Sequence, residues 1–545
     1  MPDDAAPEKL LSDRQVLPRW RLPADAAREM EGTAHVRRTP VTTRDSWLER
    51  LRARHERGPS SQTAKELIET SFMLGQPLSS EEMSSLERVA NPSRVAVNMS
   101  ATDPIRQSSL DTREAINALR MRLKFSPHQP LAWTELARQY LANGNQEGAT
   151  KAIDCALALA PSSRYVVRSA VRFYSRCDAG LDKALHLLHK TARVQRDPWL
   201  LAAEIAASDQ AGRSSPYIAT ARKMLESGAS APRHYSELAA AVGTLEHDSG
   251  RHKKAKQLFA QSLLDPTDNS LAQAVFVSNE DKKIVVPSEL DLRHQAFEAR
   301  TRSAYANGNF VAAMEGADKW LRDEPFDIKP ALLGSYMSFE PSLAAAAEEI
   351  ATRGLRSMPS HASLLNNRAV ARAYIGRLSE AFDDIKQSVK ASREEPAYLA
   401  TLGLIAYRTG FYDFGRECYV AAISWFSSRR DLVSTYRASL YWVREAIRAG
   451  EAFSTADLQF FRERIAKLPL HHQEVDLLAL VNVAERELAL GQAEPLLEVG
   501  QDEFPPEFEQ VRVCIPIPEK VQARAKSILD EGVRQIAEDQ LESAD

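Results

Sequence analysis

Cysteine is scarce in this chain of 545 residues. Cys155, Cys177, Cys418 and Cys514 lie far apart and form no CxxC pair. Nothing in that spacing suggests a disulfide framework, and a reducing compartment is favoured. Cys155 falls in an apolar helical run, where a small buried thiol is expected. Charge of one sign is also lacking. The formal net charge is -4, so the whole-molecule field calls for neither nucleic acid nor an anionic membrane. No apolar run reaches the ~18 residues of a membrane-crossing helix. The N-terminus carries Asp3, Asp4 and Glu8 instead of an apolar signal core, which argues against a targeting peptide. These absences predict a cytoplasmic chain with no membrane partner.

Catalytic signatures are missing as well. No phosphate-cradling glycine loop follows a strand-like run, and neither HExxH nor Gly-x-Ser-x-Gly occurs. His471-His472 with Glu474 is the nearest approach to a metal cluster, but adjacent histidines on a helix point in different directions. His186 and His189 share a helical face without a second ligand pair. The expectation is a non-enzyme with no cofactor and no metal.

What the chain does have is a repeated helical hairpin. In Pro130 to Pro161, Trp133, Leu136, Ala137 and Tyr140 recur at helical spacing. Ala149, Ile153 and Ala156 do the same after Asn143-Gly144-Asn145, a turn tolerant of positive φ. Pro161 stops the second helix. Pro127 precedes it by 34 residues, and Ala115 and Leu119 stand 34 before Ala149 and Ile153. Gly308, Gly376 and Gly410 fall at multiples of 34, and Pro325–Pro359, Ala347–Ala381, Ala381–Gly415 and Ala369–Gly403 keep the same interval. Such a hairpin cannot bury its own apolar faces and needs a neighbour on each side. An irregular helical bundle with chance spacing is the plain alternative.

The Trp133–Leu136–Ala137–Tyr140 pattern, followed by Gly144, Ala149, Ile153, Ala156 and Pro161, resembles the tetratricopeptide repeat over about residues 111–427. The resemblance implies an all-α fold, an α-solenoid of antiparallel hairpins in a right-handed superhelix. It also implies structural roles for Trp133, Leu136, Ala137, Tyr140, Ala149, Ile153, Pro161, Ala381 and Gly403. In that family the first helix of each hairpin lines a ligand groove. By register this points to Thr134 and Arg138, then Arg168, Arg172 and Arg176. In the later repeats it points to Glu298, Arg302 and Tyr305, to Asn366 and Val370, and to Tyr407 and Arg408. Arginines so placed suit an acidic or extended protein segment. The other reading is that they pair with acids of adjacent helices and bind nothing. Thr134 and Arg138 depart from the Lys and Asn that family members use to clamp a terminal carboxylate.

In chain order, residues 1–44 read as a disordered arm with contacts at Leu17-Pro18-Arg19-Trp20. Residues 45–110 read as a helical cap and linker, its arginines balanced by Glu49 and Glu56. A first array covers 111–268 and a second covers 291–427, separated at 269–290 by a loop or a small hairpin built on Val275-Phe276-Val277. Helices continue through 428–492. In 493–545, the alternation of Val511, Val513, Ile515 and Ile517 predicts a short β or extended segment at 511–517, confined to an edge by Pro516 and Pro518. A charged helix follows. The function so predicted is a protein-interaction scaffold. Two other readings stand: a dedicated inhibitory or regulatory subunit of one effector, and an RNA-binding solenoid using Arg168, Arg172, Arg176 and the basic run 251–256.

Overall fold

The structure is a computed structural model. It describes residues 15–20, 45–73, 78–89, 112–176, 178–228, 231–281, 283–287, 296–451, 454–468, 475–490 and 505–528. The linker expected before residue 111 and the pair His471-His472 lie outside the described residues, as does most of the arm. Among the described residues every regular element is helical, and consecutive helices pair as antiparallel hairpins: an α-solenoid. The chain divides into two compact units, residues 12–302 with 319–327, and residues 303–318 with 328–545.

In the first unit, α1 (Asp45–Arg57), α2 (Ser61–Met73) and α3 (Ser80–Val89) precede the repeats. Leu48, Leu51 and Leu67 join one core with residues of the first hairpins. The arginines of α1 reach across helices: Arg52 meets Glu82 at 2.8 Å and Arg54 meets Glu66 at 3.0 Å. Then follow α4 (Thr112–Phe125), α5 (Pro130–Ala142), α6 (Gln146–Leu159), α7 (Arg164–Tyr174), α8 (Asp178–Lys190), α9 (Pro198–Gln210), α10 (Ile218–Ser227), α11 (Pro232–Asp248), α12 (His252–Ser262) and α13 (Asp268–Glu280).

The α5–α6 hairpin shows why the pattern folds. Pro130 opens α5, where its missing N–H costs nothing. Gly144 sits at φ 74°, and the N–H groups of Gly144 and Asn145 bond the carbonyls of Leu141 and Tyr140. This left-handed cap satisfies carbonyls that the helix end would otherwise leave open. The Asn145 side chain then accepts from Gly148 N and caps α6. Leu136, Ala137, Ala149, Ile153 and Ala156 are buried, while Trp133 and Tyr140 are half-buried against the same cores. The buried thiol expected at Cys155 is exposed instead, because the residue points away from the Ile153–Ala156 face.

In the second unit, the helices run α16 (Ile328–Tyr336), α17 (Ala344–Ser357), α18 (Ala362–Tyr374), α19 (Leu378–Ala391), α20 (Ala397–Arg408), α21 (Tyr412–Ser428), α22 (Leu432–Arg448), α23 (Thr455–Lys467), α24 (Val475–Leu490), α25 (Pro506–Val513) and α26 (Glu519–Ile528). The helices α14 (Phe297–Ala306) and α15 (Phe310–Asp323) carry the division between units. Ala381 is fully buried in α19. The small residues of α20 and α21 set their approach: a Cβ on Gly403 would lie 2.9 Å from the Tyr419 ring and 3.0 Å from the Gly415 carbonyl.

Two sequence expectations are corrected. Residues 275–277 are no hairpin strand but lie inside α13, which starts at a Thr267–Ser270 capping box. The helix is apolar on two sides: Leu271, Ala272 and Val275 pack with Ala296 and Ala299, and Ala274 and Val277 with Ala240 and Phe259. Two apolar faces hide the helical period. Residues 511–513 likewise end α25 instead of forming a strand. The buried set is Phe508, Val511 and Ile515, a helical spacing, while Val513 is 72% exposed. Phe508 stacks on Phe382 at 4.5 Å between centroids.

Arg430 alone among the described non-glycine residues has positive φ, 58°, in a turn bonded like those at Gly376 and Gly410. An L side chain is strained there, and glycine removes the strain at some cost in unfolded-chain entropy. Arg430→Gly is expected to stabilise the protein by about 0.5–1 kcal/mol, read as a higher urea midpoint with unchanged slope.

Candidate functional site

The first helices of the second unit's hairpins share one continuous face. Asn366 and Val370 of α18, Ala400, Thr401 and Leu404 of α20, and Ser434, Arg437, Ala438 and Tyr441 of α22 all line a single cavity of ≈ 300 Å³. Their spacings of three and four place each set on one side of its helix. The lining mixes apolar and small residues with Tyr336, Tyr419 and Tyr441 and with the charged Glu395, Arg429, Asp431 and Arg437. Two polar atoms in it are buried without a partner, Asn366 Oδ1 and Tyr419 Oη. Buried polar atoms are nearly always bonded, so an unpaired acceptor and hydroxyl on a cavity wall mark where a ligand would bond. Arg437 is already committed: its guanidinium meets Asp476 at 2.8 Å, and the Tyr336 hydroxyl donates to the same carboxylate.

The corresponding face of the first unit is filled. Residues 15–20 run across it in extended form, with Gln15, Leu17, Pro18, Arg19 and Trp20 buried. Side chains of the repeats read the segment's backbone. Gln273 accepts from Val16 N at 2.6 Å, Gln210 donates to the Gln15 carbonyl at 3.0 Å, and Arg138 Nε donates to the Trp20 carbonyl at 3.2 Å. Pockets take its side chains. Arg19 pairs with Glu298 and, at 2.5 Å, with Glu324, and its guanidinium lies 5.3 Å from the Trp320 ring centroid. Trp20 packs edge-on to Phe173 and tilted against Phe326 at 5.2 Å. Leu17 sits with Leu185, Ala206 and Ala207. Burial alone would raise the Glu324 carboxyl, but Arg19 and Arg172 beside it hold it down at about 2.

The sequence-derived groove residues are placed by this geometry mostly in internal pairs. Arg138 bonds Glu135 and the Asp323 carbonyl. Arg168 makes a two-pronged pair with Glu237 at 2.7 and 3.1 Å and stacks at 5.0 Å over Trp199. Arg172 meets Asp327 at 2.6 Å, and Arg302 meets Glu298 at 2.7 Å. Arg176 folds over Phe173 and bonds Gln146. Arg408 grips Glu445 at 2.5 and 2.8 Å. Tyr407 donates to Glu451 and receives the Trp442 indole N–H, while Tyr305 is 3% exposed. Of the two readings of these arginines, pairing within the chain describes them: Arg138 and Arg302 meet acids of their own helices, and Arg168, Arg172 and Arg408 meet acids of other elements. Of that set, Asn366 and Val370 reach the open cavity. Sequence reading missed Thr401, Tyr419 and Tyr441. The period of α22 could have found Tyr441, which follows Arg437 and Ala438 at helical spacing.

Three donors converge elsewhere in the first unit. Asp281 Oδ2 lies 3.8 Å from His247 and 3.6 Å from His252. Their ligand atoms stand within 4.8 Å of one another, a spacing that suits a divalent cation such as zinc. The three come from α11, α12 and the end of α13, so no local motif announces them.

No family model matches the chain, and no curated protein does. The chain is similar to several solved structures: the yeast Tom70 (12% identity, 73% of this chain and 97% of that one, TM-score 0.29), the APC/C hetero-tetramer Cut9-Hcn1 (13%, 82% and 93%, 0.35), and Naa15/Naa10 bound to HypK-THB (16%, 91% and 80%, 0.21). In its hairpins and their caps, the chain resembles tetratricopeptide-repeat proteins.

The Glu324 shift fixes a pH dependence. Its folded pKa lies below the ordinary 4.5, so its contribution is complete above 4.5 and is lost as pH falls from about 4.5 toward about 2. The stability gap between wild type and Glu324→Gln should be constant at neutral pH and close across that window, as followed by urea unfolding at stepped pH.

Proposed function

We propose that the chain is a non-enzymatic adaptor that binds an extended segment of another protein along the first-helix face of its second unit. The carrying observation is the ≈ 300 Å³ cavity with Asn366 Oδ1 and Tyr419 Oη unpaired in its wall. A cavity of that size takes one large apolar side chain, and the unpaired acceptor takes a backbone N–H from the same segment. The first unit supplies a worked instance of this mode, since its own face holds Gln15 to Trp20 through backbone bonds and side-chain pockets. The Arg437 guanidinium is neutralised by Asp476, and Arg429 shares the wall with Glu395 and Asp431, so the cavity sets no requirement for an acidic segment.

Four of the basic residues behind the RNA reading are engaged with acids. Arg168 and Arg172 are buried against acids, and Arg251 and Lys254 lie on Glu246. The reading as dedicated subunit of one effector shares the adaptor's chemistry and differs only in the number of partners.

Ala400 is half-buried on the cavity wall, so a larger side chain fills the space without replacing a core residue. Ala400→Trp is expected to deplete captured proteins at least about tenfold in quantitative affinity purification at unchanged helicity. Equal recovery from both forms would remove this face as the binding surface.

A further inference from the structure

The segment Gln15 to Trp20 is bound as a peptide ligand is bound. It has no helix or strand of its own, and its backbone is read by Gln210, Gln273 and Arg138. The Arg19 and Trp20 side chains enter two distinct recesses. The Trp20 ring fills an apolar recess at Phe173 and Phe326. Arg19 enters a ring of acids, with Glu298 and Glu324 in contact and Asp323 and Asp327 within electrostatic reach.

Charge decides what can occupy this site. Without Arg19, the guanidiniums of Arg138, Arg172 and Arg302 face the carboxylates of Glu135, Glu298, Asp323, Glu324 and Asp327. The empty face therefore carries excess negative charge inside a low-dielectric recess. An acidic peptide is repelled, and an apolar one brings no positive charge to a recess where carboxylates outnumber guanidiniums, the costlier error. Only a cation next to an aromatic ring satisfies both pockets. The present occupant does so incompletely: Arg19 Nε is buried without a hydrogen-bond partner. A guanidinium carries all its donors into the recess, so one unmet N–H leaves room for a better-fitting ligand.

We propose that the first-helix face of the first unit is a receptor site for an extended segment of another protein that presents an arginine followed by an aromatic residue, and that residues 15–20 occupy it in cis as a tethered competitor. The site is separate from the second-unit cavity and does not depend on it. A tethered segment competes at an effective concentration of order millimolar, so a partner must bring either a better fit or a second point of attachment. The chain's own sequence sets the specificity: aliphatic, proline, arginine, tryptophan.

The test uses the full chain and a fluorescein-labelled acetylated peptide of sequence Gln-Val-Leu-Pro-Arg-Trp, read by fluorescence anisotropy. With fewer than about a tenth of molecules open, wild type should bind the peptide at least about tenfold more weakly than the Arg19→Glu/Trp20→Ala double variant. A peptide with glutamate in place of arginine should not bind the double variant, and Glu324→Gln added to that variant should weaken the original peptide. Adding Ala400→Trp should leave the peptide's affinity unchanged, which separates this site from the second-unit cavity. Three results overturn the proposal. The peptide binds wild type and double variant alike, or binds neither. The double variant loses helicity, making the segment a structural staple. Wild type sediments as a dimer that the double variant converts to monomer, making the natural occupant a second copy of the chain.

Discussion

Buried arginine–carboxylate pairs between successive first helices hold this solenoid in register. Arg164 of α7 reaches Asp197 at the N-cap of α9, Arg408 of α20 reaches Glu445 of α22, Arg437 of α22 reaches Asp476 of α24, and Arg444 of α22 reaches Glu487 of α24. Each pair spans more than one helix in sequence, so each fixes the height of one hairpin on the next. A helix face packed only by alanine and leucine can slide by a turn with little change in buried area. A two-pronged guanidinium contact cannot, because a shifted partner leaves both charges buried and unmet.

Such pairs add little net stability over well-packed apolar residues of similar size. Their cost falls on the wrong arrangement instead. Stability comes from the other side of each hairpin, where Leu136, Ala149, Ile153 and Ile385 are buried and the close glycines Gly403 and Gly415 let helices meet. Arg444 shows how far the polar side goes. It is fully buried, yet Glu487, the Phe339 carbonyl and the Tyr374 hydroxyl take its donors, and the Tyr374 ring lies 4.8 Å below it. Burial opposes its charge, while Tyr374 and Glu487 beside it raise its pKa, so it stays ionised.

The hairpins were legible because their signals are local. A left-handed glycine such as Gly144 or Gly376 and a small residue such as Ala381 each act within one or two helices, and a 34-residue interval exposes them. Residues 268–280 and 506–513 were misread for a physical reason. A helix apolar on two sides, or one only two turns long, shows a β-like pattern of branched residues when its neighbours are unknown. The groove arginines were found by register, but their state was not legible. Whether Arg168 faces solvent or Glu237 depends on a contact 69 residues away, and no periodicity carries that. The Arg19–Trp20 clamp lay further still from sequence reading, since Glu298 and Glu324 stand 279 and 305 positions from Arg19.

The two faces differ in one property that determines what each can hold. In the second unit, Arg408, Arg437 and Arg444 all find acids on the next first helix, and the cavity wall mixes apolar and neutral polar side chains with Glu395, Arg429 and Asp431. Both signs are present there, so neither dominates. In the first unit the acids outnumber the arginines around the segment, and Arg19 offsets part of the surplus. Both faces are built from the same repeat, and a few carboxylates in α14 and at residues 323–327 of the first unit make one of them a reader of cations. Because those carboxylates are buried, added salt screens them weakly, so selectivity at that face persists at ionic strengths that abolish surface attraction. A solenoid so arranged can discriminate between segments by the placement of single acids, with no change in the packing that keeps its hairpins stacked.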